Sequence, residues 1–304
     1  MTNKLDTTGL NTLKDFMRWG ASRFNEAKLS FGHGMLTALD EAVYLTLRAV
    51  HLPIDTPEIY WDAALTETEK AKILDYFTQR IEGKKPAAYI TQEGWFAGLP
   101  FYVDERTLIP RSPIAELVEA QFTPWVDPYT VETVLDLCTG SGCIGIACAY
   151  AFPEASVDLV DISKDALDVA NINIDRHNLS DRVTTIQSDL FSNLAGKKYD
   201  LIVSNPPYVD QEDMAILDDE FKHEPELGLY SGSDGLDATR EILKQALNHL
   251  NPEGVLIVEV GNSQYALAEA YSEIPFYWLE FEKGGDGVFL LTAQQLKEYA
   301  THII

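Results

Sequence analysis

The sequence LIVSNPPYVD at residues 201–210 ends an apolar run with a carboxamide, two prolines and a phenol. Asn205 offers a side-chain oxygen, and Pro206 offers a main-chain carbonyl oxygen next to it. Pro206 and Pro207 fix φ and lack backbone N–H donors, which removes donors that would bond to the wrong atom. Tyr208 adds a flat wall. Two fixed acceptors beside such a wall would orient a planar amino nitrogen, of a carboxamide or of adenine, toward an electrophilic carbon.

A second motif lies upstream, in VLDLCTGSGCIG. Gly140, Gly142 and Gly145 follow a predicted strand with the GxGxxG spacing, and Asp161 stands 21 residues after Gly140 at the end of the next predicted strand. Glycine turns of this kind bind nucleotide cofactors, and an acid at that distance accepts hydrogen bonds from the ribose hydroxyls. The pattern alone fits a nicotinamide dinucleotide as well as S-adenosylmethionine.

Asp136 favours the second cofactor. It precedes the glycine turn by four residues, close to where a pyrophosphate would lie, and two negative charges there would repel each other. The sulfonium and ammonium groups of S-adenosylmethionine are cations, so the same carboxylate would attract them or the groups that hold them. A plain strand-end aspartate satisfied by neighbouring N–H groups is the alternative interpretation.

A third acid ends a third predicted strand. Asp189 closes TTIQSD, where it would accept a hydrogen bond from an adenine amino group, and Leu190 would pack on the ring face. A single acid at such a position is often a helix N-cap. Three successive strand ends with acids in these places indicate a cofactor site more strongly, and NPPY follows a fourth strand. An isolated NPPY would also fit a proline-capped strand end with a packed tyrosine.

The elements that must position these residues alternate along the chain. Residues 1–85 show helical periodicity, with a capping box at Thr66 and Glu69, and residues 86–110 carry β-branched and aromatic residues around AGLP, which predicts a hairpin. Residues 111–304 alternate strand and helix, which predicts an α/β fold with a mainly parallel sheet. Ligands of such sheets bind beyond the carboxyl ends of the strands, where every motif above falls.

Composition narrows the function classes. The net charge of −25, from 48 acidic and 23 basic residues among 304, disfavours direct DNA binding and favours a basic partner. Cys138, Cys143 and Cys148 form no CxxC pair, which fits a reducing cytoplasm, and no export signal or membrane-spanning run stands out. Pro225 interrupts the HEPE sequence at His223, so it does not match the zinc motif HExxH, and we expect no metal.

Three segments, NPPY, LDLCTGSGCIGIA and HEPELGLYSGSDGLDATREIL, resemble the HemK-type protein-glutamine N5-methyltransferases over nearly the whole chain. The resemblance implies a Rossmann-like class I fold dependent on S-adenosylmethionine, with a small N-terminal helical domain that recognises the substrate and a connecting β-hairpin. It assigns cofactor contacts to Cys138, Thr139, Gly140, Ser141, Gly142, Asp161, Leu190 and Asn205. It assigns the glutamine amide to Asn205, Pro206, Pro207 and Tyr208, with Asn205, Pro206 and Tyr208 as catalytic residues.

Within that family, FYVDERTLIPRSPIAELV and WLEFEKGGDGVFLLT resemble the branch that modifies large-subunit ribosomal protein three. IPRSPIAEL carries most of this distinction, because release-factor enzymes usually have a PRPET-like sequence there. The expected products are a methylated glutamine and S-adenosylhomocysteine, and the expected partner is a basic ribosomal protein, free or in an assembling large subunit. The alternatives are a release-factor glutamine methyltransferase, an N6-adenine nucleic-acid methyltransferase and a non-catalytic assembly factor.

Overall fold

The computed structural model describes residues 7–303. The chain divides into two compact units. One contains the described residues as far as Gln92 together with Asp218–His223, and the other contains Glu93–Leu217 and the described residues from Glu224 onward. The sequence-based partition into 1–85, 86–110 and 111–304 stays a prediction about functional domains. The first six residues, on which the expectation about export partly depends, lie outside the described residues.

The first unit is helical. The capping box predicted at Thr66 begins one of its helices, since Thr66 Oγ1 accepts from the Glu69 N–H and the Glu69 carboxylate accepts from the Thr66 N–H. Aromatic rings of the fully buried Phe24 and Phe77 meet edge to face in its core. Its α-helices are α1 (Leu13–Glu26), α2 (Ala38–Ala49), α3 (Glu67–Gly83) and α4 (Ala87–Thr91).

A buried ion cluster joins the segment Asp218–His223 to the helices of this unit. Arg80 on α3 donates from Nε to Glu41 at 2.6 Å and from Nη1 to Glu220 at 3.1 Å, and all three side chains are at most 4% exposed. Arg80 Nη2 also donates to the Ser30 carbonyl, at 2.6 Å. The cluster therefore satisfies a buried guanidinium from three sides, as a buried charge requires.

The second unit is a mixed α/β unit built on one large sheet. Its helices and strands, in chain order, are β1 (Gly94–Phe96), β2 (Leu99–Phe101), α5 (Ile114–Glu119), β3 (Thr133–Leu137), α6 (Cys143–Ala151), β4 (Ser156–Asp161), α7 (Lys164–Arg176), β5 (Val183–Gln187), β6 (Tyr199–Ser204), α8 (Gln211–Ile216), α9 (Asp237–Ala246), β7 (Leu250–Glu259), α10 (Gln264–Ala270), β8 (Tyr277–Trp278), β9 (Val288–Thr292) and α11 (Ala293–Glu298).

The order of strands across the large sheet is β5-β4-β3-β6-β7-β9-β8. The strands from β5 to β7 are parallel, whereas β9 runs antiparallel to both β7 and β8. The chain moves outward from β3 to β5 and then returns to place β6 on the other side of β3. A reversal of this kind opens a crevice at the carboxyl ends of the two central strands, which is where such sheets bind ligands.

Both faces of the two central parallel strands, β3 and β6, are buried. On β3, Val134 belongs to the hydrophobic core on one face and Leu135 to the core on the other, and Val203 and Ile202 divide between the same two cores on β6. This explains why VLDL and LIV are nearly continuous apolar runs instead of alternating ones.

The structure adds detail that the sequence pattern did not predict. Beyond the alternation predicted for residues 111–304, this unit contains the short helices α5, α8 and α11. The FYWLEFE segment contributes only the two-residue strand Tyr277–Trp278. The hairpin around AGLP comprises β1 and β2, with Ala97 and Gly98 at its turn. No helix in the described range is long and apolar enough to cross a membrane.

Candidate active site

The carboxyl ends of β3 and β6 are joined directly. Leu137 and Ser204 are paired in the sheet register, and Ser204 Oγ donates to the Leu137 carbonyl at 2.9 Å. The loop after β3 carries the glycine motif and the loop after β6 carries NPPY. The sheet topology therefore brings the two motifs, which are about sixty residues apart in the sequence, to one crevice.

Asp136 lies beneath the glycine loop and is fully buried. Its Oδ2 accepts from Thr139 Oγ1 at 2.5 Å and from the Gly145 N–H at 2.8 Å. Its Oδ1 has no hydrogen-bond partner within the part of the chain that the structure describes. Burial raises the pKa of Asp136 to about 7, although the two hydrogen bonds lower it. A donor or a cation from a ligand would satisfy this buried oxygen, which no described residue does.

The backbone of the loop is held in unusual conformations. Cys138 has a φ of 57° and Gly140 a φ of 55°, both in the left-handed region. A residue other than glycine is conformationally unfavourable at such a positive φ. Residues with strained φ values of this kind cluster at ligand sites. A Cβ built on Gly140 would meet no atom within 4 Å, so the loop exposes bare backbone at that point. Burial raises the pKa of the Cys138 thiol, which opposes any role as a nucleophile.

Asp161, at the end of β4, stabilises the same loop. Its Oδ2 accepts from the Gly140 N–H and its Oδ1 from the Ser163 N–H, each at 2.9 Å. Each carboxylate oxygen has a second lone pair, so these bonds leave acceptor capacity for ribose hydroxyls. Burial raises the pKa of Asp161, whereas its backbone hydrogen bonds lower it. The predicted ribose contact is compatible with this geometry and stays a prediction.

Asp189 and Leu190 follow β5 at the same edge of the sheet. The Asp189 side chain is exposed and makes no hydrogen bond with any other described residue. Leu190 is half-buried against the core and has a φ of 44°. Its left-handed backbone fixes where the side chain leaves the loop. The predicted adenine contacts of these two residues also stay predictions.

Asn205 and Pro206 directly follow β6. The Asn205 carboxamide is partly exposed and forms no hydrogen bond with residues 7–303, and the Pro206 carbonyl accepts none from that same range. Further along the loop, a bridge pins the chain, because the Val209 N–H donates to the Leu229 carbonyl at 2.8 Å and the Ser231 N–H donates to the Val209 carbonyl at 3.0 Å. The loop is thus anchored while its two acceptor oxygens remain unengaged.

Sequence reasoning missed the residues that surround Tyr208. The Tyr208 phenol donates to Glu259 at 3.2 Å, and its carbonyl accepts from Ser263 Oγ at 2.8 Å. Ser112 of the IPRSP segment donates to the other Glu259 oxygen. The one signal in the sequence is the acid Glu259 inside the otherwise apolar run GVLIVEVG.

A second missed contact holds the IPRSP segment itself. Arg111 forms a bidentate pair with Glu224 of the HEPE sequence, at 2.5 and 2.6 Å, and Glu224 also accepts from the Ile109 N–H at 3.0 Å. Glu224 is buried. Glu224 of HEPE therefore anchors the loop before α5.

Curated relatives align with nearly the whole chain. The ribosomal protein uL3 glutamine methyltransferase of Francisella tularensis subsp. tularensis (strain SCHU S4 / Schu 4) is 52% identical over 291 residues, which are 95% of this chain and 93% of the relative. The protein of the same name from Neisseria gonorrhoeae (strain ATCC 700825 / FA 1090) is 52% identical over 289 residues, 94% of this chain and 96% of the relative. This chain belongs to the uL3 glutamine methyltransferase family.

Two further comparisons concern the methyltransferase domain and the fold. The family model described as the methyltransferase small domain matches residues 122–224, which contain the glycine loop and NPPY. The solved catalytic domain of hMettl16, in complex with the MAT2A 3′UTR hairpin 6, superposes with a TM-score of 0.52 at 16% identity and covers 75% of this chain and 82% of that one. The predicted Rossmann-like methyltransferase fold and the predicted family are confirmed.

The site of this methyltransferase fits a cationic nucleoside cofactor. The free Oδ1 of the buried Asp136 is the observation that tests the fit, because an orphaned carboxylate oxygen is costly unless a ligand supplies a donor or a positive charge. The open backbone at Gly140 lies on the same loop. Asp136, Asp161, Asp189 and Asn205 lie at the carboxyl ends of adjacent strands or within two residues of them.

Proposed function

We propose that this methyltransferase transfers a methyl group from S-adenosylmethionine to the side-chain amide nitrogen, N5, of a glutamine in ribosomal protein uL3. The observation that carries the chemistry is the pair of unengaged oxygens on Asn205 and Pro206. The names of the two relatives supply the protein substrate. The products are S-adenosylhomocysteine and the N5-methylated glutamine.

The acceptor oxygens explain why an amide can react. The nitrogen of a carboxamide is a poor nucleophile, since its lone pair is delocalised into the carbonyl. Asn205 Oδ1 and the Pro206 carbonyl accept from the two N–H groups, hold the nitrogen in place and favour its pyramidal form. Tyr208 covers one face of the planar amide. The residues therefore bind the side chain in the geometry that reaction demands.

The cofactor lies along the strand ends in this proposal. When bound, it supplies an electrophilic methyl carbon on a sulfonium. Asp136 attracts its cationic end, Asp161 accepts from the ribose hydroxyls, and Asp189 accepts from the adenine amino group while Leu190 packs on the ring. The loop residues Cys138, Thr139, Gly140, Ser141 and Gly142 form the remaining cradle.

The bond changes balance without a protein base. A nitrogen–carbon bond forms as the carbon–sulfur bond breaks, and one amide proton leaves. The product nitrogen is cationic before that loss and therefore strongly acidic. Asn205 and Pro206 already accept from its N–H groups, so the proton departs along one of these hydrogen bonds to solvent, and the reaction needs no lysine or histidine.

Charge supports a basic protein as the partner. The chain has a net charge of −25. Three of its acids lie in the loop after NPPY, Asp210 at the N-cap of α8 and Glu212 and Asp213 in its first turn. Ile216 at the end of α8 is 79% exposed, which offers an apolar contact beside the acids. We propose that this loop and the helical segment 1–85 recognise uL3, free or in an assembling large subunit, in the cytoplasm, and that neither DNA nor a membrane is a partner.

A transfer assay with tritiated methyl donor tests the substrate. It compares uL3 alone, immature large-subunit particles, a release factor and duplex DNA, and mass spectrometry then locates the label. We expect the label on a glutamine side chain of uL3, either as the free protein, within the immature large-subunit particle, or in both. Label in adenine, or in the release factor but not in uL3, would overturn the proposal.

Asn205→Ala tests the acceptor pair. Loss of the side-chain oxygen should lower kcat by roughly 100- to 1,000-fold, the range for removing a positioned catalytic hydrogen-bonding group. Cofactor affinity, measured by calorimetry, should change far less, since most proposed contacts lie on other strands. The control is Asn25→Ala, at an exposed asparagine on α1. Near wild-type turnover in Asn205→Ala would contradict the assignment.

A further inference from the structure

Tyr208 is fixed at three points besides its peptide bonds. Its ring lies on Gly261, where an added Cβ would come within 2.6 Å of ring atom Cε2. Its carbonyl accepts from Ser263 Oγ at 2.8 Å. Its phenol donates to Glu259 Oε1 at 3.2 Å. Two of these points hold the backbone and the ring face, and only the third sets the direction of the hydroxyl.

Glu259 is an unusual residue to find at that place. It ends the apolar strand β7, and the residue is only 4% exposed. Its other oxygen, Oε2, accepts from Ser112 Oγ at 2.5 Å, and Ser112 Oγ in turn accepts from the Ile114 N–H at 3.1 Å. A buried carboxylate is costly unless its oxygens are satisfied. Here two hydroxyls from distant parts of the chain satisfy it, and one of them is the phenol of NPPY.

We propose that Glu259 is a positioning residue, which fixes the Tyr208 ring as the wall of the acceptor-amide site by accepting a hydrogen bond from the phenol. The inference deepens the function proposed above and rests on it. Because the phenol points toward Glu259, its hydroxyl does not compete with Asn205 for the substrate amide. The ring then presents a face instead of a hydrogen-bonding edge.

The protonation state of Glu259 controls this contact. Burial raises the pKa of Glu259 to about 7, while hydrogen bonds from Ser112 and Tyr208 and the charge of Arg111 lower it. The other charged group near the phenol is Glu224, which pairs with Arg111. Above that pKa the carboxylate accepts hydrogen bonds from both hydroxyls. Below it one oxygen carries a proton of its own, and the two hydroxyls no longer both have a carboxylate acceptor.

Fluorine NMR measures the contact without reference to activity. The 14 tyrosines are replaced by 3-fluorotyrosine, and the Tyr208 resonance is the one absent from Tyr208→Phe. In the wild type this resonance should shift with a midpoint near pH 7. Glu259→Gln should abolish the shift, and Glu253→Gln, at an exposed residue of the same strand, should keep it. A Tyr208 resonance that does not titrate in the wild type, or that still titrates in Glu259→Gln, overturns the proposal.

Ser112→Ala provides a second variant that leaves the Glu259 carboxylate in place. Removal of the Ser112 hydroxyl takes away a hydrogen bond that stabilises the ionised form, so the midpoint of the Tyr208 shift should move upward. An unchanged midpoint would contradict the network. This NMR readout needs no substrate, so it tests the positioning role independently of the proposed function. If the wild type does not methylate uL3, the proposed function alone is overturned.

Kinetics on uL3 then test whether Glu259 acts through Tyr208. At a pH well above the midpoint, Glu259→Gln should lower kcat by about 10-fold, the scale of one hydrogen bond to a charged group, with the cofactor dissociation constant unchanged. In the Tyr208→Phe background the same change should cost less than about 2-fold, because the phenol that it positions is already absent. Equal losses in both backgrounds would show that Glu259 acts elsewhere and would overturn the proposal.

Discussion

At the scale of single residues, the site rests on buried acids near the carboxyl ends of strands. Asp136 is the penultimate residue of β3 and Glu259 is the last residue of β7. Burial raises the pKa of each to about 7. Their surroundings differ. Glu259 has a hydroxyl donor on both oxygens, whereas Asp136 has both of its donors on one oxygen. Glu259 is therefore suited to hold protein groups, and Asp136 is suited to bind a ligand.

Cofactor affinity should depend on pH through Asp136. Below about pH 7 the carboxyl is protonated and neutral, and above it the group is ionised and attracts a cation. Binding of a cation favours the ionised form, so binding should release a proton, and the dissociation constant should fall as the pH rises through about 7. Calorimetry in buffers of different ionisation enthalpy measures both quantities.

The matched variants for this prediction are Asp136→Asn and Asp165→Asn. Asp136→Asn removes the titrating group, so affinity should be weak and nearly independent of pH. Asp165, in the first turn of α7, is exposed and should leave the pH dependence unchanged. A wild-type dissociation constant that is flat across this range would refute the contact with Asp136.

Residue types revealed only part of this site. Asp136, Asp161 and Asn205 were predictable, because each follows an apolar run directly and parallel strands bring such ends together. The partners of Tyr208 were not, since Glu259 is 51 residues from it in the sequence and no local period links the two. Contacts set by loop packing leave no periodic signal.

At the scale of elements, the glycine motif sets how closely α6 packs on the sheet. A Cβ on Gly145 would overlap the side chain of Leu159 on β4 and would lie 3.0 Å from the Asp136 Cβ. The Gly145 N–H also donates to Asp136. The third glycine of the motif therefore serves helix–sheet packing, and the packing places the donor that holds the acid.

Gly145→Ala should separate α6 from the sheet. We expect a loss of about 1–3 kcal/mol in the free energy of unfolding, the usual cost of overpacking a core, together with weaker cofactor binding. Denaturant titration and calorimetry measure the two effects. Gly83→Ala is the control, because a Cβ at the end of α3 meets no atom within 4 Å. Equal stability of the two variants would contradict the packing argument.

The helical unit contains a buried ion cluster around Arg80 that no periodic pattern in the sequence predicts. Helical periodicity and the Thr66 capping box predict helices in residues 1–85, but neither indicates that Arg80 is buried and paired. Its partner Glu220 lies 140 residues further along the chain, so local patterns carry no trace of the pair. The segment Asp218–His223 is thereby part of the helical unit.

Arg80→Met should destabilise this unit by about 3–5 kcal/mol, the cost of leaving buried charges without their partner. Burial already raises the pKa of Glu41, and Arg80 lowers it, so removal of Arg80 favours protonation. Adding Glu41→Gln and Glu220→Gln to the same variant should recover much of the loss. Arg18→Met, at an exposed arginine of α1, is the control. Chemical denaturation measures the free energy of unfolding of each variant. If Arg80→Met lost no more of it than Arg18→Met, the result would contradict a stabilising role for the cluster.

At the scale of the whole molecule, the charge of −25 should govern association with a basic protein. Attraction between opposite charges raises association rates and is screened by salt. The KM for uL3 should therefore rise steeply with ionic strength, while kcat at saturation and the cofactor dissociation constant change little. Steady-state kinetics over a salt series measure this. A KM independent of salt would show that charge does not bring the two proteins together.

The same experiment locates the surface that matters. Glu212→Gln with Asp213→Asn removes two charges from α8, in the loop after NPPY, and should reduce the salt dependence of KM. Glu132→Gln with Glu154→Gln removes the same charge just before β3 and β4, at the amino edge of the sheet, opposite the site. Because screened interactions act over roughly 10 Å, only the first pair should change KM. Equal effects of the two pairs would mean that the net charge, and not the loop beside the acceptor site, attracts the substrate.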